Sequence, residues 1–267
     1  MKIGLVQMNS RQDKAANLAA AAEGIEKLAH QGVDLVLLPE MFNHLGTDPQ
    51  NAEAAEAIPG PSTEWVRGQA KGKGIFINCG SVIERRDGGN FNTSVVFDRS
   101  GKEVARYSKL HLFDIMLPDG SKYLESEAIT PGDRIALFEC DGVVAGLAIC
   151  YDLRFPELFR ALAEAGAELL LLPAAFTVPT GMYHWEPLIR ARAIENGCYV
   201  AACGQWGQWA RGKQCYGHSL VADPWGTVVA QCREGVDTLA VELDMAYLRS
   251  VRERMPVLKH RRRDLFK

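Results

Sequence analysis

The sequence predicts an α/β protein made of two β-sheets packed face to face, each carrying helices on its outer side. Three observations lead there. Apolar runs of strand length alternate with helical patterns from end to end. Several runs, such as "VDLVLLPEMF" and "AELLLLPAAF", are apolar without interruption, as in strands covered on both faces. The strands also outnumber what one open sheet with so few helices accommodates, whereas two stacked sheets account for them.

Taken in order, "KIGLVQM" (2–8) reads as a strand. "KAANLAAAAEGIEKLAHQG" has apolar residues at helical spacing and closes on His30 and Gly32, a usual way for a helix to end. Residues 33–42 form a buried strand. A helix is expected from about Ser62 to Lys71, with Ser62 or Thr63 as N-cap. "GIFINCGSVIE" and "NTSVVFD" follow as strands around "RRDGGN", whose Asp-Gly-Gly signals a hairpin. "EVARYSKLH", "IALFEC" and "VVAGLAICYD" continue the strands. The alternation then repeats with a helix at 156–166, a strand in "AELLLLPAAF", a helix at 183–197 and a strand in "CYVAACGQW". "GHSLVADPWGTVVAQC" and "DTLAVELD" read as closing hairpins, and "FTVPTGMYHW" as a loop fit to wall a pocket.

At 267 residues and 47% hydrophobic, the chain can bury a sizeable core, and one domain over 1–267 is expected. Thirty Lys and Arg stand against 33 Asp and Glu, so no global charge favours nucleic acid or an anionic membrane. The one basic run, "KHRRRDLFK", has no interleaved aromatics and reads as a solvated or subunit-packing tail. No apolar run is long enough to span a bilayer. Seven cysteines without C-x-x-C spacing fit neither a disulfide framework nor a zinc site and point to a reduced, cytoplasmic protein. Six of them, Cys79, Cys140, Cys198, Cys203, Cys215 and Cys232, read as small packing residues.

Charged or reactive side chains interrupt the apolar runs at three strand ends: Glu40 in "LVLLPEMF", Lys109 in "ARYSKLHLFD" and Cys150 in "GLAICYD". Such ends are where α/β sheets assemble their sites. A thiol needs a base to take its proton, and a carbonyl under attack needs a cation or N–H donors for its oxyanion, so the three types together suit nucleophilic acyl transfer. Singly, each has a duller role as a loop carboxylate, a strand-end lysine or a core thiol.

"LLPEMF", "YSKLHLFD" and "GLAICYDLRFPELFR", with "HWEPLIRARAIENGCYV" and "YGHSLVADPWGTVVA" after them, resemble in this order the motifs of the nitrilase superfamily of carbon–nitrogen hydrolases. The resemblance runs nearly end to end. It implies an α-β-β-α sandwich that dimerises and uses no metal or organic cofactor. It makes Cys150 the nucleophile, Glu40 the general base, Lys109 the oxyanion partner and Glu125, in "YLESEAITPGD", an additional pocket carboxylate. "CYD" resembles the amidase branches, nitrilases proper usually carrying Trp and Glu after the cysteine. The implied reaction takes a small carboxylate-bearing amide to acid and ammonia through a thioester. The branch acting on deaminated glutathione is most similar, and ω-amidases of 2-oxoglutaramate and 2-oxosuccinamate are the alternative. Nitrilases, N-carbamoyl amino acid amidohydrolases and a thiol redox sensor stand further off.

Substrate contacts are expected from Tyr151, whose backbone N–H would meet the oxyanion, and from Arg154, Thr180, Gly181 and Tyr183. Arg154 is also expected to form a short-range ion pair with Glu157, and Asp152 to act as a turn or capping carboxylate. His184 and His218 have no partner spaced for zinc.

Overall fold

A computed structural model describes residues 1–116, 120 and 122–265. The first half holds β1 (Lys2–Gln7), α1 (Lys14–His30), β2 (Leu35–Leu37), α2 (Asp48–Glu53), α3 (Pro61–Lys73), β3 (Phe76–Asn78), β4 (Val82–Arg86), β5 (Gly89–Phe97) and β6 (Glu103–Ser108). A small hairpin of β7 (Asp114–Met116) and β8 (Lys122–Leu124) leads to β9 (Leu137–Cys140), β10 (Val143–Leu147), α4 (Pro156–Glu164), β11 (Leu169–Ala174), α5 (Val178–Asn196) and β12 (Tyr199–Gly204). A second hairpin, β13 (Trp206–Ala210) and β14 (Lys213–Tyr216), precedes β15 (Leu220–Ala222), β16 (Val228–Gln231), β17 (Asp237–Glu242) and α6 (Met245–Arg254).

One sheet runs β17-β1-β2-β3-β5-β4 with β6 on β5, and the other β16-β15-β12-β11-β10-β9. In each sheet three parallel strands sit beside antiparallel ones: β1, β2 and β3 in the first, β10, β11 and β12 in the second. Helices make the crossovers between them, as parallel strands require. Between the sheets, Ile3, Leu5, Leu35 and Leu37 meet Ala145, Leu147, Leu169 and Leu171 in one buried cluster. On the far side of the first sheet, Val6, Val36 and Ile77 pack against Ile25 and Leu28 of α1 and Val66 and Ala70 of α3. The second sheet is covered by α4 and α5, and Leu162 lies against Gly146, where an added Cβ would meet it at 3.1 Å. The expected α-β-β-α sandwich is therefore the observed one.

The Asp-Gly signal is a two-residue turn, with Asp87 and Gly88 both at positive φ and Arg86 paired to Gly89. Several boundaries differ from expectation. The helix expected from Ser62 starts at Pro61 with Gly60 as N-cap, so Ser62 and Thr63 lie in its first turn. "GIFINCGSVIE" breaks into two strands at Cys79–Ser81. The segment 237–242 does not close a hairpin beside 220–231 but crosses to the other sheet and pairs antiparallel with β1. "FTVPTGMYHW" is mostly helix: Thr177 is the N-cap of α5 and Pro179 falls in its first turn, where a missing N–H costs nothing.

Candidate active site

Glu40, Lys109 and Cys150 converge at one end of the sandwich. Glu40 follows β2, Lys109 follows β6 and Cys150 follows β10, so two sheets contribute to one point. All three are buried, and Glu125, on a short 3-10 turn after β8, joins them. The four line a cavity of about 900 Å³, its open mouth included, together with Tyr123, Tyr151, Phe176, Thr177, Thr180, Trp209 and Lys213.

The Lys109 ammonium is shared between carboxylates. It donates to Glu125 at 2.8 and 3.1 Å and to Glu40 Oε1 at 3.3 Å. Burial works against its charge, but Glu125, Glu40 and Cys150 around it hold its pKa well above the ordinary lysine value. Glu40 is fixed on both oxygens: Asn92 Nδ2 donates to Oε1 at 2.8 Å and the Ala175 N–H to Oε2 at 2.7 Å. The Phe113 N–H holds Glu125 Oε2 at 2.6 Å. For Cys150, burial first, then the nearby Glu40 carboxylate, push the thiol well above its usual range, with Lys109 opposing. Both burial and Glu40 favour the protonated thiol over the thiolate. The arrangement thus stores the base next to the thiol rather than a free thiolate.

Local backbone explains why the thiol projects here. Cys150 has φ +48°, a left-handed conformation costing a β-carbon residue about 1–3 kcal/mol. Asp152 braces that corner. Its Oδ2 accepts from the Ile149 N–H at 2.8 Å and the Tyr107 hydroxyl at 2.7 Å, and its Oδ1 accepts from the His111 N–H at 3.1 Å. The carboxylate therefore ties the cysteine turn to both sides of Lys109. Met41, next to Glu40, is also left-handed at φ +54°, and its N–H is held by Ser81 Oγ. Gly80 lets this loop close, because a Cβ there would lie 1.9 Å from the Pro39 carbonyl oxygen.

Of the expected substrate contacts, Tyr151 and Thr180 line the cavity, whereas Arg154, Gly181 and Tyr183 do not. Gly181 is packing: a Cβ would fall 2.4 Å from the Tyr216 ring. Tyr183 is 71% exposed on α5. Arg154 bonds His184 Nδ1 at 3.2 Å and lies over the Tyr151 and Phe176 rings at 5.7 and 5.6 Å. Among the described residues it forms no ion pair with Glu157; its guanidinium meets His184 and the two rings instead. Asn92 was not singled out from the sequence, although "FNTSVVFD" places it on a strand whose pleat carries it toward Glu40. All seven cysteines are free and buried, and only Cys150 lines the cavity.

A two-sheet sandwich with a thiol, two carboxylates and an ammonium at its strand ends defines a nitrilase-type hydrolase. The chain belongs to the carbon–nitrogen hydrolase family, whose model matches residues 2–253. It is 40% identical to omega-amidase NIT2-A of Xenopus laevis, over 99% of this chain and 96% of that one. It is also 40% identical to deaminated glutathione amidase of Homo sapiens, over 99% of this chain and 83% of that one. The crystal structure of the Caenorhabditis elegans NitFhit protein superposes with TM-score 0.94 at 40% identity, covering all of this chain and 66% of that one.

Proposed function

We propose that this chain is an amidase that hydrolyses small carboxylate-bearing amides through a thioester on Cys150. The observation that carries this reading is the Lys109 ammonium held between Glu40 and Glu125 on the floor of a cavity that also presents the thiol. Glu40 takes the Cys150 proton as sulfur attacks the amide carbonyl. Lys109 and the Tyr151 N–H receive the oxyanion, and the proton on Glu40 passes to the leaving nitrogen as the C–N bond breaks. Water, deprotonated by Glu40, then attacks the thioester carbonyl and releases the acid and the thiol. Glu125 orients Lys109.

The proposed substrate is a deaminated-glutathione-like amide, the ω-amide of a 2-oxo dicarboxylic acid being the alternative. Relatives of both names at equal identity support the pair. Deaminated glutathione carries no primary amide, so its cleavage frees an amine, whereas an ω-amide frees ammonia. A panel of these amides, carbamoyl amino acids and nitriles ranked by kcat/KM tests the assignment. The two oxo-amides are expected at the top, and a nitrile or a carbamoyl compound leading the ranking would overturn it.

One domain over 1–267, a cytoplasmic location and a homodimer belong to the same proposal. Tyr183 and Ile194, 71% and 46% exposed, share one face of α5, and Ile194 packs against Gly226, the chain neighbour of the exposed Trp225. Such a run of exposed apolar side chains suits pairing. The basic tail turns back on α4, where Arg261 and Arg263 meet Glu164; its last residues, Phe266 and Lys267, lie outside the described residues. Truncation after Leu258 is expected to shift a dimer toward monomer in analytical ultracentrifugation, and an unchanged dimer would remove the tail from the interface. Among the described residues no helix is long and apolar enough to cross a membrane.

A further inference from the structure

Besides Lys109, whose charge is taken up by Glu40 and Glu125, the cavity is lined among the described residues by one other cation, Lys213. It lies at the start of β14, in the hairpin with β13, and shares a strand face with Cys215 two residues on. That face looks inward: Cys215 is buried, and the negative charge of Glu40 acts on its thiol. The strand is anchored to the site, since the Tyr216 N–H bonds the Phe176 carbonyl at 2.8 Å and Cys215 pairs with Thr177. Ala175, just before, is the residue whose N–H holds Glu40. The Lys213 ammonium stands over two aromatic walls of the cavity, 5.0 Å from the Tyr123 ring and 5.3 Å from the Trp209 ring. Among the described residues it has no ion pair.

Among the described residues, Asp48 is the only other ionisable side chain on the cavity wall apart from Glu40, Lys109, Glu125, Cys150, the tyrosines and Lys213. Burial raises its carboxyl pKa, against the pull of Lys213, and no ion pair joins the two among the described residues. An ammonium held over two rings, half-buried and, among the described residues, in no ion pair is a ready counter-charge for an anionic ligand group.

Resting on the amidase reading, we propose that Lys213 receives the carboxylate remote from the scissile amide and so selects anionic over neutral amides. It is a specificity-determining residue, and Arg154 and Tyr183, outside the cavity, have no part in that recognition.

The test compares kcat/KM for 2-oxoglutaramate and for pentanamide, a neutral amide of the same chain length, in wild type, Lys213→Gln and Lys213→Arg. The ratio of the two is expected to fall about tenfold or more in Lys213→Gln, chiefly through KM for the anionic amide. Lys213→Arg is expected to retain most of it. A ratio unchanged in Lys213→Gln would overturn the proposal. A second arm needs no turnover: 2-oxoglutarate is titrated calorimetrically into Cys150→Ala with and without Lys213→Gln. Binding weakened about tenfold by Lys213→Gln supports the assignment, and equal affinities contradict it. If wild type cleaves no amide, the amidase reading fails while this arm still decides the role of Lys213.

Discussion

Cys150→Ala is expected to fold normally by circular dichroism and to lose amide turnover by a factor on the order of 10⁵ or more, as removal of an attacking nucleophile does elsewhere. The change removes one sulfur from a side chain that faces a cavity, so packing losses are small. Iodoacetamide is expected to alkylate Cys150 ahead of the other six cysteines. Cys79 and Cys140 are each pushed up to about 12 and Cys198 to about 11, in every case first by burial, and none of the three reaches the cavity. The Cys150 thiol is raised as well, but Glu40 is there to take its proton. Peptide mapping after limited alkylation checks the order of labelling. Peroxide consumption with amides left untouched would favour thiol redox chemistry instead.

Glu40→Gln and Lys109→Ala are the other large effects. Loss of an oxyanion donor typically costs about two to three powers of ten, and loss of a base that serves both half-reactions should cost more. Glu40→Gln keeps the shape of the side chain and its acceptor toward Asn92, so the fold is expected to hold. Lys109→Ala is different: it leaves Glu40 and Glu125 buried without their cation, a situation that costs about 3–5 kcal/mol in comparable pairs. The double variant Lys109→Met with Glu125→Gln removes one of the two stranded charges, that of Glu125, and leaves that of Glu40. It is expected to regain part of the lost stability in thermal melts while remaining at least 10²-fold impaired. Either single variant keeping more than about a tenth of wild-type kcat would remove that residue from the mechanism.

Glu40 and Cys150 were legible because each ends a continuous apolar run, and Lys109 because it stands at the end of a strand pattern; a reactive group at a strand end is conspicuous. The two-sheet architecture was legible for the same reason: strand runs and helix periodicity are local signals. The rest depends on distant pieces meeting. Asn92 and Ala175 reach Glu40 from 52 and 135 residues away, which no spacing rule reveals. Gly181 and Thr180 looked like one loop, yet as successive residues of α5 they face different neighbours, Thr180 the cavity and Gly181 the Tyr216 ring. The hairpin that carries Trp209 and Lys213 is polar and glycine-rich, so its periodicity is weak. Helix α6 went unread because its first turn follows directly on the last strand, capped by Asp244 rather than announced by a loop.

The central claim is a covalent acyl group on Cys150, and rapid-quench intact-mass spectrometry during turnover of the best amide from the panel tests it most directly. Wild type is expected to show a transient mass increase equal to the acyl moiety, mapped to the peptide containing Cys150 and absent from Cys150→Ala. Full turnover with no adduct in wild type, together with undiminished activity in Cys150→Ala, would contradict the account.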